Sequence, residues 1–193
     1  MSNTNAMEPR LTGGRRAGRF GLRCFLRRKD GSAAVEFALV AAPFLALLFA
    51  IMETALIFFA GQTLETAAAD AGRLILTGQA QTQGLTKETF KEEVCDRIFG
   101  LFDCQNGIYV DVKKYANFAS VDLTKPLDED GNLDTNFTYD PGGPCEIVVV
   151  RLLYAFPVYV SLLGFNLADM AGGKRLLVAT SVFRNEPYQG SCS

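Results

Sequence analysis

From Ala33 to Ala60 the chain reads almost entirely apolar, with Glu36, Glu53 and Thr54 the strongly polar exceptions, and Phe37–Met52 is an unbroken run of apolar residues and one proline. A run of this length exceeds the ~20 residues that cross a bilayer core. No Gly-Pro or Asn-Gly breaker occurs until Gly78, so the pattern predicts one long helix from Ala33 to about Thr77, with Pro43 as a candidate kink and Gly61 a weak point. At 1.5 Å per residue such a helix is roughly twice as long as a bilayer core is thick. Its second half is therefore expected to project from the membrane. There the pattern changes: Leu64, Ala67, Ala68, Ala71, Leu74 and Ile75 recur at helical spacing, with Gln62, Glu65, Thr66, Asp70 and Arg73 on the other faces.

Beyond Gly78 the pattern becomes mixed. Thr86 can cap a short helix from about Lys87 to Leu101, with Phe90, Val94, Ile98 and Leu101 on one face. Ile108–Val112, Tyr115–Leu123, Cys145–Phe156 and Lys174–Arg184 are rich in β-branched and aromatic residues and predict about four antiparallel strands. Thr124–Pro144, with three prolines and three glycines, reads as a long loop. The expected fold class is α+β: a long N-terminal transmembrane helix packed on a small antiparallel sheet domain.

Charge orients this arrangement. The chain has 193 residues and a net charge of −2, yet residues 1–31 hold eight Arg or Lys against Glu8 and Asp30. A basic head followed by an apolar span is a topology signal, which puts the head in the cytoplasm and the body outside. The same reading turns the head away from nucleic-acid binding. Cys24 falls on the cytoplasmic side, while Cys95, Cys104, Cys145 and Cys192 fall on the exported side, where two disulfides with three possible connectivities can form. A Cys95–Cys104 bridge would close a short local loop, and a Cys145–Cys192 bridge would tie down the tail. The chain contains no His, which removes the commonest general base and zinc ligand. Without a G-x-S-x-G, Walker or CxxC motif either, no catalytic constellation, metal site or cofactor site assembles.

The head ends at Gly31, followed by Ser32-Ala33-Ala34-Val35-Glu36-Phe37. An ionised carboxylate inside an apolar run is costly and needs compensation. Cleavage after Gly31 would give Ser32 a positive α-amino group, and the Glu36 carboxylate of a neighbouring copy or partner could then neutralise it. These residues resemble the class III signal of type IV prepilins and, more closely, the TadE-like pseudopilins of the tight-adherence (Flp) pilus system. The resemblance rests on Gly31-Ser32, Glu36-Phe37-Ala38-Leu39, Pro43, Glu53, the segment ending Ala71-Gly72-Arg73 and Thr77-Gly78, and late residues Val182–Pro187. It implies processing by a prepilin peptidase at Gly31/Ser32, a role in pilus assembly, and other pilins and pseudopilins as partners. The 115 residues from Gln79 onward are far more than the stub of a major Flp pilin, so a minor or accessory pilin is expected.

The resulting division is a cleaved basic leader at 1–31, a transmembrane segment at 32–60, an exported amphipathic segment at 61–78 and a periplasmic α+β domain at 79–193. The chain is then single-pass in a bacterial inner membrane. An uncleaved single-span adhesin or receptor is the alternative. Three further patterns compete with blander readings. Asp128, Asp130, Asn132 and Asp134 alternate like a calcium loop, but the glycine and the terminal glutamate are misplaced, which favours a solvated acidic loop. Glu53 fits either a second intramembrane pairing site or the outer headgroup layer. Ile147–Leu167 is apolar enough to suggest a second span, against which stand Arg151, Pro157 and a β-branched run; a buried strand and an apolar patch, Phe156–Phe165, are expected instead.

Overall fold

Ser32–Leu76 forms one α-helix of 45 residues, α1, with Pro43 inside it. The structure is a computed structural model and describes residues 31–98, 100, 102–159, 166–188 and 192, so the basic head and Cys24 lie outside the described residues. The chain divides into two compact units, Met1–Phe44 and Leu45–Ser193. In the first, every described large apolar side chain is exposed, among them Val35, Phe37, Leu39, Val40 and Phe44.

The second unit is built on the remainder of α1. Buried positions on that helix recur at Glu53, Ile57, Ala60, Leu64, Ala67, Ala68, Ala71 and Ile75, mostly in steps of three and four that draw one stripe down a helix. The helix stops at Thr77-Gly78, where Gly78 takes φ 76° and its N–H bonds the Ile75 carbonyl at 3.0 Å. A side chain there would overlap the ring of Tyr188, so glycine is required both by the left-handed backbone and by the packing.

Three short helices follow: α2 at Gln79–Thr82, α3 at Lys87–Cys95 and α4 at Cys104–Gly107. Thr86 caps α3 in a reciprocal pair with Thr89, and Phe90 and Val94 are its buried face. The sequence pattern predicts continuation to Leu101, but α3 ends at Cys95, which is bonded to Cys104 with Cα atoms 5.6 Å apart. Ile98 is still buried; Leu101 lies outside the described residues.

The sheet has three antiparallel strands in the order β1 (Ile108–Tyr115), β2 (Ile147–Pro157), β3 (Lys174–Arg184). Tyr115–Leu123 is not the further strand its composition predicts. Its first residue ends β1, and the Asn117 side chain then accepts the Ser120 N–H at 2.9 Å and starts a 3-10 turn, Phe118–Ser120. The outer edge of β1 is met instead by the long loop, with the Val112 N–H donating to the Thr138 carbonyl at 2.9 Å and the Asp140 N–H to the Val112 carbonyl at 2.9 Å. Ile147–Leu167 is not a second span: its first eleven residues are the central strand.

One face of the sheet meets α1. Val110, Val112, Val148, Val150, Leu152, Leu177 and Ala179 join the helix stripe in one core. A Cβ on Gly72 would come to 3.0 Å from the Phe183 ring, a measure of how closely helix and β3 approach. On the other face, Asp111 stands opposite Arg151 in the register. The Arg151 guanidinium donates to Asp111 Oδ2 from Nη2 at 2.7 Å and from Nε at 3.2 Å, and to the Thr124 carbonyl at 3.1 Å. The Thr138 N–H donates to Asp111 Oδ1 at 3.2 Å, and the Lys113 ammonium lies 3.2 Å from Oδ2. Two ends of the long loop are thus held over a buried ion pair. A second bridge, Cys145–Cys192, joins the entry to β2 with the tail, again with Cα atoms 5.6 Å apart.

Burial resists ionisation of Asp111, but Arg151, the Thr138 N–H and Lys113 outweigh it and hold the carboxyl below its ordinary value. A depressed folded value means the stabilisation is complete above the ordinary carboxylate pKa of ~4 and disappears as pH falls through the folded value. Asp111→Asn should cost about 3–5 kcal/mol at neutral pH, because it strands the Arg151 charge. Denaturant unfolding followed by near-UV circular dichroism should show this loss, together with a flatter acid limb than wild type.

Candidate membrane anchor and assembly site

The residues picked out by the sequence fall into two groups along α1. At its start, Gly31 is exposed. Among the described residues nothing lies within 4 Å of a Cβ built on it, so packing gives no reason for a glycine there. Ser32 opens the helix and Glu36 follows one turn later. Glu36 is exposed, as are Phe37, at 75 %, and Pro43. Proline in a helix interior supplies no N–H to the carbonyl four residues earlier, which here is that of Leu39.

Between these residues and the sheet the helix shows apolar side chains outward on all sides. Val35, Phe37, Leu39, Val40, Phe44, Leu45, Leu47, Leu48, Phe49, Ile51 and Met52 are all exposed. The helix is long and apolar enough to cross a membrane, with a mean hydropathy of 2.3 in its most apolar window and none of that window buried. In water this surface is costly at about 25 cal/mol per Å²; in hydrocarbon that cost vanishes. From Ala33 to Met52 is about 30 Å of helix, the thickness of one bilayer core.

Glu53 begins the second group. It is 5 % exposed and lies at the head of the buried stripe. Its carboxylate accepts the backbone N–H of Tyr159, in the segment that follows β2. Packing against the sheet domain thus starts inside the segment 32–60. On the same turns, Leu56, Phe58 and Phe59 remain exposed. Two faces of one short stretch of helix therefore meet two different surroundings.

Glu36 and Glu53 fall in different units of the chain, and Cys95, Cys104, Cys145 and Cys192 are bonded to one another within the second. The Asp128 carboxylate accepts the N–H groups of Asp130 and Asn132 at 3.0 and 2.7 Å, which closes its own turn. Among the described residues no group of three or more His, Cys, Asp or Glu is placed to hold a metal. Of the Phe156–Phe165 patch, Phe156 is buried and Tyr159 is 80 % exposed; residues 160–165 lie outside the described residues.

Sequence reasoning missed the Asp111–Arg151 pair and the role of Tyr159. The first had a signal, since each is a charge set in an otherwise apolar stretch of strand. The second had none, because a backbone N–H carries no sequence mark. Residues 31–73 match the family model of TadE-like proteins. No curated protein and no solved structure matches the chain.

Removing the Glu53 acceptor would take away a hydrogen bond from the Tyr159 N–H to a charged group, which contributes about 1.5–3 kcal/mol. Glu53→Ala should lower thermal stability in detergent by that amount, while Glu53→Gln, which keeps an acceptor oxygen, should recover most of it. Equal losses in the two variants, read by circular dichroism, would show that the bond to Tyr159 contributes nothing.

Proposed function

We propose that this chain is a TadE-like minor pilin or pseudopilin, a structural and assembly component of a tight-adherence (Tad/Flp) pilus. It is held in the bacterial inner membrane by α1 with its body in the periplasm. The observation that carries the reading is the exposed apolar helix that starts at Ser32 and has Glu36 on its second turn. This is the segment covered by the family match.

In this reading a prepilin peptidase cuts between Gly31 and Ser32. A residue with no side chain suits a narrow cleft at the membrane surface, and nothing in the described fold competes for that glycine. The cut exposes the Ser32 α-amine at the head of the helix, where its positive charge adds to that of the helix N-terminus. A carboxylate from a neighbouring helix relieves both charges inside a medium that solvates neither. Glu36 lies one turn along and is therefore level with the Ser32 amine of a neighbour displaced by that one turn, about 5 Å. The chemistry is assembly. The partners are other pilins and pseudopilins of the same system.

Intact-mass and N-terminal mass spectrometry of the membrane-extracted protein should give a chain that begins at Ser32, and Gly31→Arg should leave the leader attached. Recovery of full-length protein alone from piliated cells would favour an uncleaved single-span adhesin or receptor. Glu36→Ala should still insert, because the helix becomes more apolar, but piliation should fall sharply; unchanged piliation would show that the carboxylate is incidental.

A further inference from the structure

We propose that the end of the body carrying Tyr159, Lys174 and Arg175 is a phospholipid-binding surface that seats the domain on the leaflet from which α1 emerges. The inference rests on the membrane-anchor reading of α1 and adds a second, separate contact with the same bilayer.

Three observations converge there. The Pro157–Lys174 and Phe156–Arg175 pairs form the last rungs of the sheet at this end, and Tyr159 follows directly, bonded through its N–H to Glu53. Glu53 is the residue that follows the apolar run Leu45–Met52, so this end of the body is the one from which that run departs. Secondly, the surface has the make-up of a membrane interface. Tyr159 is 80 % exposed and Phe58 70 %; aromatic rings settle at headgroup depth, and two cations on adjacent residues suit anionic phosphates. Thirdly, a groove of about 350 Å3 opens between α1 and β3, with Ile57, Phe58 and Leu167 as apolar lining and Arg175, Gln62 and Glu65 among its polar lining.

An apolar lining that includes a cation fits one acyl chain and its phosphate. A helix of a second protein, about 10–12 Å across with its side chains, is too large for a groove of that volume. Acidic neighbours are already engaged: Asp169 accepts from Lys125 at 2.6 Å and from the Leu176 N–H at 2.7 Å, and Glu65 accepts from Gln62 at 3.1 Å. Arg175 donates to the Leu167 carbonyl at 3.1 Å, and its other N–H groups and the exposed Lys174 ammonium are left to face an outside anion. The opposite end of the sheet, with Tyr115, Ile147 and Arg184 on its last rungs, has no apolar run leaving it.

The chain has no Trp, so one introduced indole reports alone. Four variants would be reconstituted in vesicles of phosphatidylcholine and phosphatidylglycerol with brominated acyl chains. They are Tyr159→Trp, Phe58→Trp, Phe49→Trp in the apolar run and Phe118→Trp at the far end of the sheet. Exposure of Tyr159 and Phe58 makes both substitutions mild for folding, and formation of the Cys145–Cys192 bridge checks it. The indoles of the Phe49→Trp, Phe58→Trp and Tyr159→Trp variants should lose intensity to bromine and shift to the blue, while that of Phe118→Trp should not. Adding Lys174→Glu and Arg175→Glu should reduce quenching in the Tyr159→Trp variant but leave it unchanged in Phe49→Trp. If Phe49→Trp is quenched while Phe58→Trp and Tyr159→Trp behave like Phe118→Trp, the body stands off the bilayer and the proposal falls with the anchor intact. If Phe49→Trp escapes as well, the anchor reading itself fails. Shielding of the Tyr159→Trp indole from both bromolipid and aqueous iodide would show a second protein on this surface and overturn the lipid assignment.

Discussion

The contact between the alanine stripe of α1 and the sheet carries the whole body. Ala60, Ala67, Ala68 and Ala71 are almost wholly buried, and their small side chains bring the helix close to the strands. That closeness is why a side chain at Gly72 would be tight against Phe183. It is also why the core can be filled largely by valines on β1 and β2 instead of larger residues. With a sheet of only three strands, such a core is small, and it is reinforced where it is weakest. The Cys95–Cys104 bridge holds the end of α3, the Cys145–Cys192 bridge holds the tail, and the Glu186 N–H bonds the Leu76 carbonyl at 2.8 Å, which fixes the helix end to the segment after β3.

The face of the sheet away from α1 follows a different logic. The long loop between β1 and β2 meets it, with Phe137 against the Tyr109 ring. Much of its attachment is polar: Arg151 reaches the Thr124 carbonyl, Asp111 takes the Thr138 N–H, and Lys125 bridges to Asp169 across to the loop before β3. A buried ion pair adds little net stability against an apolar alternative of the same shape. Its directional bonds, however, fix where the loop lies, which an apolar contact would leave loose.

How much of this was legible depended on the range of the interaction. The long helix, its stop at Thr77-Gly78, the Thr86 cap and the bounds of β3 are decided within a few residues, and local pattern finds them. Tyr115–Leu123 has strand composition but becomes a turn, because Asn117 offers the backbone a local bond that competes with a ladder. Asp111 and Arg151 were each visible as oddities, yet their meeting depends on the register of two strands far apart in the chain. The expected membrane motif was read in another way: Gly31, Ser32 and Glu36 stand out by residue type against the pattern around them.

The stretch from Glu53 to Ala60 shows why a single sequence period cannot describe this helix. Ile57 and Ala60 are buried against the body, while Leu56, Phe58 and Phe59 on the same two turns are exposed. A helix on the surface of a water-soluble domain would be polar on that outer side, as α1 indeed becomes from Gln62 onward. Apolar residues on both sides mean that two apolar surroundings meet here, the core on one side and a non-aqueous neighbour on the other. Were the membrane to end at Met52 with the body held well away from it, Leu56, Phe58 and Phe59 would be left in water without cause. The burial pattern fits a domain that starts where the lipid has not yet ended, with core and bilayer overlapping along this stretch of one helix.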